Sequence, residues 1–171
     1  MIGALYAGGM DAQELETMAL ELNVSDFIRI DMAKGMSGNP NAIERFITQR
    51  VGPKRIEELQ RRFAATAVRV SDGSLQVFNE GNLGVAVRAS SALPGSFPAA
   101  RIRGIDYIDG DEGTPLPVRV ARQMHADVVI AIDVSAHLST TPVQAPPEWR
   151  ERDQRRARAI AAEVPFADVV I

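Results

Sequence analysis

The 171-residue chain contains no cysteine. That excludes a disulfide framework, a thiolate nucleophile and any Cys-ligated zinc or iron–sulfur centre within these residues. Histidine is scarce too, His125 and His137 being the two present. A metal site would therefore have to be built mainly from carboxylates, and no cofactor is expected. Among the 19 basic residues, Lys34 and Lys54 are the lysines, which leaves 17 arginines. Those arginines are interleaved with acids and the net charge is −3, so there is no electrostatic footprint for nucleic acid. No apolar run approaches the about eighteen residues that a membrane-spanning helix needs. The apolar opening Met1 to Tyr6 lacks the basic leader and the length of a secretory signal. A cytoplasmic location is the default expectation.

What is present has the balance of an ordinary globular protein, 46% apolar and 24% charged. The length suits one domain rather than two. Met1 to Ala7 reads as a short helix closed by Gly8-Gly9. Asp11 with Glu14 marks a helix start, followed by an inward stripe of Leu15, Met18, Ala19 and Leu22. Gly35 and Gly38 mark a loop, and Asn39-Pro40 caps a second helix with Ile43, Phe46 and Ile47 inward, ending at Gly52. A short helix after Pro53 turns Ile56 and Leu59 inward.

The period then shifts to that of strands. Residues 63–70 and 75–78 flank Asp72-Gly73, a hairpin signal. Residues 82–92 read as a helix, 101–103 and 105–108 as a strand pair turning at Gly104, and 118–124 as another helix. Asp127 to Val134 is apolar almost throughout, the pattern of a central strand covered on both faces. Residues 136–147 form a Pro-rich loop. Glu148 to Glu163 is a charged helix with Arg155, Arg156 and Arg158 on a solvated face, and Asp168 to Ile171 is a last strand. Helices alternating with strands indicate an α/β layered domain.

Two blocks carry a resemblance. Val87-Arg-Ala-Ser-Ser-Ala-Leu-Pro-Gly-Ser-Phe-Pro98 comes first. Tyr107-Ile-Asp-Gly-Asp-Glu-Gly-Thr-Pro-Leu-Pro-Val118 follows, with the strand Ala126 to Ser135 behind it. In this order and spacing they resemble the patatin-like phospholipase family in its small bacterial form. Residues 63–67 and 78–81 fit the strand pair that precedes these blocks. Gly3 to Gly9 is similar to the helix that follows the family's nucleophile elbow. The resemblance implies a three-layer α/β/α domain, spanned in part by residues 1–171 and incomplete at both ends.

It also implies hydrolysis of lipid acyl esters by a Ser–Asp dyad. The serine of a Gly-x-Ser-x-Gly turn attacks, an aspartate followed by glycine takes its proton, and a glycine-rich loop stabilises the oxyanion. The aspartate maps to Asp109. Read as a bare dipeptide, Asp109-Gly110 could equally be an ordinary turn. A lipid or acyl-ester substrate is the expected partner, with transient membrane-surface contact a further option through Trp149 and the arginines of 150–158. An exposed helix without lipid contact is the plainer reading of that segment.

The chain departs from the family in three ways. It contains no Gly-x-Ser-x-Gly, and Gly35-Met-Ser-Gly-Asn39 has the wrong glycine spacing. The serine is expected just before residue 1, so the chain by itself is expected to be inactive. Asp111 replaces a small residue and could raise the pKa of the base by like-charge repulsion, while Thr114 replaces an asparagine. Other candidates are weaker. Ser90 and Ser91 lie in a packing block, His125 at a helix C-terminus and His137 in a loop. Asp133, at a strand end, has no phosphate loop beside it. The alternative to a hydrolase is an inactive binding remnant of the same domain.

Overall fold

The computed structural model describes residues 1–31, 35–134 and 147–171. Packing divides the chain into two compact units, Met1–Gly110 and Asp111–Ile171.

The first unit opens with α1 (Ile2–Ala7) and α2 (Ala12–Glu21). Asp11 and Glu14 form a reciprocal capping box, each side chain accepting the other's backbone N–H at 2.8 Å. Met18 is buried on α2, but Ala19 faces solvent, so the inward stripe is narrower than its spacing suggested. The segment expected to be a loop around Gly35 and Gly38 is instead an antiparallel hairpin, β1 (Ile28–Asp31) and β2 (Gly35–Gly38). Local glycine content hid it, because pairing across the hairpin rather than intrinsic propensity sets this pair.

Helix α3 (Pro40–Val51) starts at the Asn39 cap and ends at Gly52, with Ile43 and Ile47 buried as its spacing predicted. A one-turn helix, Ile56–Glu58, buries Ile56. A four-stranded antiparallel sheet then forms from β3 (Ala65–Arg69), β4 (Leu75–Phe78), β5 (Ala100–Ile102) and β6 (Ile105–Asp109), in the order β4-β3-β6-β5. Between its two hairpins lies α4 (Leu83–Ser90), with Leu83, Ala86, Val87 and Ala89 buried. The β5–β6 turn is the two-residue type that needs positive φ at both positions. Gly104 adopts +83° freely, while Arg103 is held at +49°. Leu5, Ile47, Leu83 and Val87 are the largest fully buried side chains, so the main core joins α1, α3 and α4.

The second unit contains α5 (Val118–Gln123), β7 (Ile130–Ala131), α6 (Pro147–Glu163) and β8 (Val169–Val170), with β7 and β8 parallel. Here the expectation of a strand covered on both faces is corrected. Val129 and Ala131 are buried against Leu116 and Val118, but Val128, Ile130 and Ile132 are 65%, 57% and 62% exposed. An apolar run reports what a strand can bury, and among the described residues one face is packed.

Two side chains brace this unit. Asp168 accepts from Arg122 at 2.5 Å and from the Val129 N–H at 2.7 Å, which together hold its carboxyl below the usual range. Burial pushes the Glu163 carboxyl up. The Arg119 backbone and guanidinium N–H groups at 2.8 and 2.7 Å outweigh that, so its net shift is downward.

Helix α5 ends in a Schellman motif. The His125 N–H donates to the Arg122 carbonyl at 2.9 Å and the Ala126 N–H to that of Ala121 at 3.2 Å. His125 occupies the left-handed position with φ +62°, where a Cβ is unfavourable. His125→Gly is therefore expected to stabilise the protein by about 0.5–1 kcal/mol in urea unfolding. A destabilised variant would show that the imidazole makes a compensating contact.

Candidate active site

Asp109 is the last residue of β6, paired with Ala67 of β3. Its N–H donates to the carbonyl of Ala92 at 3.1 Å. Its backbone is thus held from two sides, by β3 and by the segment that follows α4. Small side chains make this possible. Ala67, Ala89, Ala92 and Ala100 surround Tyr107 in one buried cluster, which lets α4 lie close on the sheet. The Arg-Ala-Ser-Ser-Ala-Leu-Pro block is accordingly a strut whose carbonyl meets the aspartate.

Gly110 is required for a related reason. A Cβ there would lie 2.5 Å from Thr66 Oγ1 and 2.6 Å from the Thr66 carbonyl oxygen. The chain can pass β3 at this distance only without a side chain.

The half-buried Asp109 acts electrostatically on the start of α1. Burial lowers the pKa of the Met1 amino group, and the Asp109 carboxylate raises it. The Met1 cap of α1 thus feels the Asp109 carboxylate.

Ser90 and Ser91 lie at the C-terminal end of α4, with the Ser91 N–H donating to the Arg88 carbonyl at 3.3 Å. Carbonyls crowd a helix C-terminus, and its dipole disfavours a developing alkoxide. His125 sits at the α5 terminus, as expected, while His137 and Ser135 lie outside the described residues. Asp133 donates its backbone N–H to the Ile171 carbonyl at 2.8 Å, an edge contact between the ends of β7 and β8. No cluster of three or more His, Asp or Glu side chains suited to a metal occurs among the described residues.

Asp111 has a partner that its sequence position did not disclose. Arg156 donates to Asp111, and Arg152, one turn earlier on α6, donates to Glu112. Burial raises the Asp111 carboxyl; Arg156 and Arg152 pull it down, and Glu112 and Asp133 add to the rise. Arg156 is thus an ion-pair partner rather than a member of the solvated face, whereas Arg155 and Arg158 are exposed as expected. The available signal was the i, i+4 spacing of Arg152 and Arg156, which puts both guanidinium groups on one side of the helix. Thr114 is half-buried in the loop before α5.

The profile of the patatin-like phospholipase family matches residues 1–122. The chain belongs to this family. Its α/β architecture follows, with helices packed on a central antiparallel sheet. Over 114 residues it is 32% identical to uncharacterized NTE family proteins of Mycobacterium tuberculosis and Mycobacterium bovis. That alignment covers 64% of this chain and 32% of theirs. It is also 29% identical over 99 residues to a lysophospholipase NTE1 of Yarrowia lipolytica, covering 58% of this chain and 7% of that protein. The chain thus spans about a third of the length of the mycobacterial relatives it matches. At the level of the family, this is a lipid hydrolase fold. No described helix is long and apolar enough to cross a membrane.

The close approach at Gly110 makes a stability prediction. Gly110→Ala is expected to cost about 2–3 kcal/mol in chemical denaturation, because the obstructing Thr66 atoms include backbone. An unchanged midpoint would contradict the close approach of β6 to β3.

Proposed function

We propose that Asp109 is the general base of a Ser–Asp dyad that hydrolyses acyl esters of lipids. Its serine is carried on the turn that leads into α1. The observation that carries this reading is the place of Asp109 at the end of β6, where β3 and the Ala92 carbonyl hold its backbone just before Gly110. A nucleophile on a sharp turn at a helix N-terminus is exposed, and its alkoxide is favoured by the helix dipole.

In this mechanism the Asp109 carboxylate accepts the serine proton as the oxygen attacks the ester carbonyl. Backbone N–H groups hold the resulting oxyanion. The alcohol leaves with the proton from Asp109, forming an acyl-enzyme. Asp109 then takes a proton from water, whose oxygen attacks the acyl carbonyl, and returns that proton to the serine oxygen as the fatty acid leaves. Two protein groups suffice, and no cofactor enters. The clamp on Asp109 supports this role, because a base must hold its position within a fraction of an ångström.

The same proposal takes residues 1–171 as part of one patatin-like domain, acting in the cytoplasm and touching lipid surfaces transiently to reach its substrate. The runner-up, a non-catalytic binding remnant, predicts the same fold with no turnover in any context.

A polypeptide that includes the in-frame upstream strand and Gly-x-Ser-x-Gly turn is expected to hydrolyse p-nitrophenyl esters. Asp109→Asn should reduce its kcat about a hundred- to ten-thousand-fold. The 171-residue chain alone is expected to show no hydrolysis above buffer. Turnover that survives Asp109→Ala would remove the dyad, and turnover lost in Ser90→Ala or Ser91→Ala would relocate the nucleophile.

A further inference from the structure

The chain that leaves Asp109 runs straight into two more carboxylates. Gly110–Glu112 form one turn of 3-10 helix, in which Asp111 and Glu112 are consecutive. Neither side chain is left open to solvent, Asp111 being 24% and Glu112 21% exposed. Two guanidinium groups meet them. Arg156 donates to Asp111 and Arg152 to Glu112, and these arginines stand one turn apart on α6. A partly buried carboxylate that loses its partner keeps an uncompensated charge, so each pair fixes its residue more firmly than a surface pair would.

Two consequences reach Asp109 through the chain. The first is geometric. Asp109 is the last residue of β6, so its N–H is bound while the torsions that follow it lie beyond the ladder. Gly110 has no side chain to restrict them. Anchoring residues 111 and 112 supplies that restriction. The second consequence is electrostatic. The Cα atoms of residues two apart lie within about 7 Å, inside the screening length of about 10 Å at 0.1 M salt. An unpaired carboxylate at 111 would therefore oppose ionisation at 109. Arg156 and Arg152 favour the ionised form of Asp111, whereas Glu112 and Asp133 oppose it. The Met1 amino group also acts on Asp109, from the cap of α1.

We propose that Arg156 is a positioning residue for Asp109: by pairing with Asp111 it fixes the turn after the base and cancels the charge that would oppose its ionisation. The consequence for catalysis rests on the proposed dyad; the coupling between Arg156 and Asp109 does not. Arg155, the neighbouring cation of the same helix, is exposed and serves as the control.

The coupling is read in the 171-residue chain by carbon-13 NMR titration of the Asp109 carboxyl, assigned with Asp109→Asn. Arg156→Gln should move its midpoint to higher pH by about half a unit, because Asp111 is then unpaired. Asp111→Asn should move it to lower pH, because Arg156 then acts without its partner. The double variant should return it close to the native midpoint, and Arg155→Gln should leave it in place. If Arg156→Gln does not fold, Arg156→Lys and Asp111→Asn carry the test, with the lysine variant near native and the asparagine variant shifted down. An unchanged midpoint in the folded variants, or an equal shift in Arg155→Gln, would overturn the proposal. In the polypeptide with the upstream turn, Arg156→Gln should lower kcat about tenfold with KM within about twofold, and Arg156→Lys should restore most of it. A loss confined to KM would overturn the positioning role. Full turnover in Asp109→Asn would remove the dyad and leave the NMR coupling standing.

Discussion

The structure of the first unit depends on how closely α4 lies on the four-stranded sheet. Alanines at 67, 89, 92 and 100 clear the space around Tyr107, whose ring meets Phe78 edge to face at 5.3 Å. With the helix that close, the chain leaving it passes the end of β6, and the Ala92 carbonyl takes the Asp109 N–H. Gly110 completes the arrangement by passing Thr66 where no side chain fits. A larger residue at any of the four alanines would push the helix outward and loosen the aspartate that the proposed mechanism uses as its base. The same packing thus serves the core and the site.

The features legible in the sequence were those written locally. The Asp11–Glu14 box, the Asn39-Pro40 start and the two hairpin turns each state their structure within a few residues, and each is found where expected. The position of Asp109 at a strand end before Gly110 was legible through the order of its flanking blocks, and the fold shows how those blocks meet: one supplies the carbonyl that holds the other. What sequence could not supply was long-range. The β1–β2 hairpin depends on pairing that its glycines disguise, and the Asp111–Arg156 pair joins residues 45 positions apart. A carboxylate that looked like a like-charge intruder has its own countercharge.

The apolar run at 127–134, of which the structure makes a strand only at Ile130–Ala131, shows the limit of reading burial from composition. The run describes a segment able to be covered on both sides, yet Val128, Ile130 and Ile132 are exposed while Val129 and Ala131 are packed. Apolar content sets the capacity for burial, and topology decides how much of it is used.

The central claim is spatial: the Asp109 carboxylate stands near the start of α1. The α-amino group of Met1 reports on this directly, because burial lowers its pKa and Asp109 raises it. NMR titration of that amine in the 171-residue chain and in Asp109→Asn compares the two states. Removing the carboxylate charge is expected to lower the amine's pKa further, so that it deprotonates at lower pH. An unchanged titration in a folded Asp109→Asn protein would place the aspartate away from α1 and contradict the account.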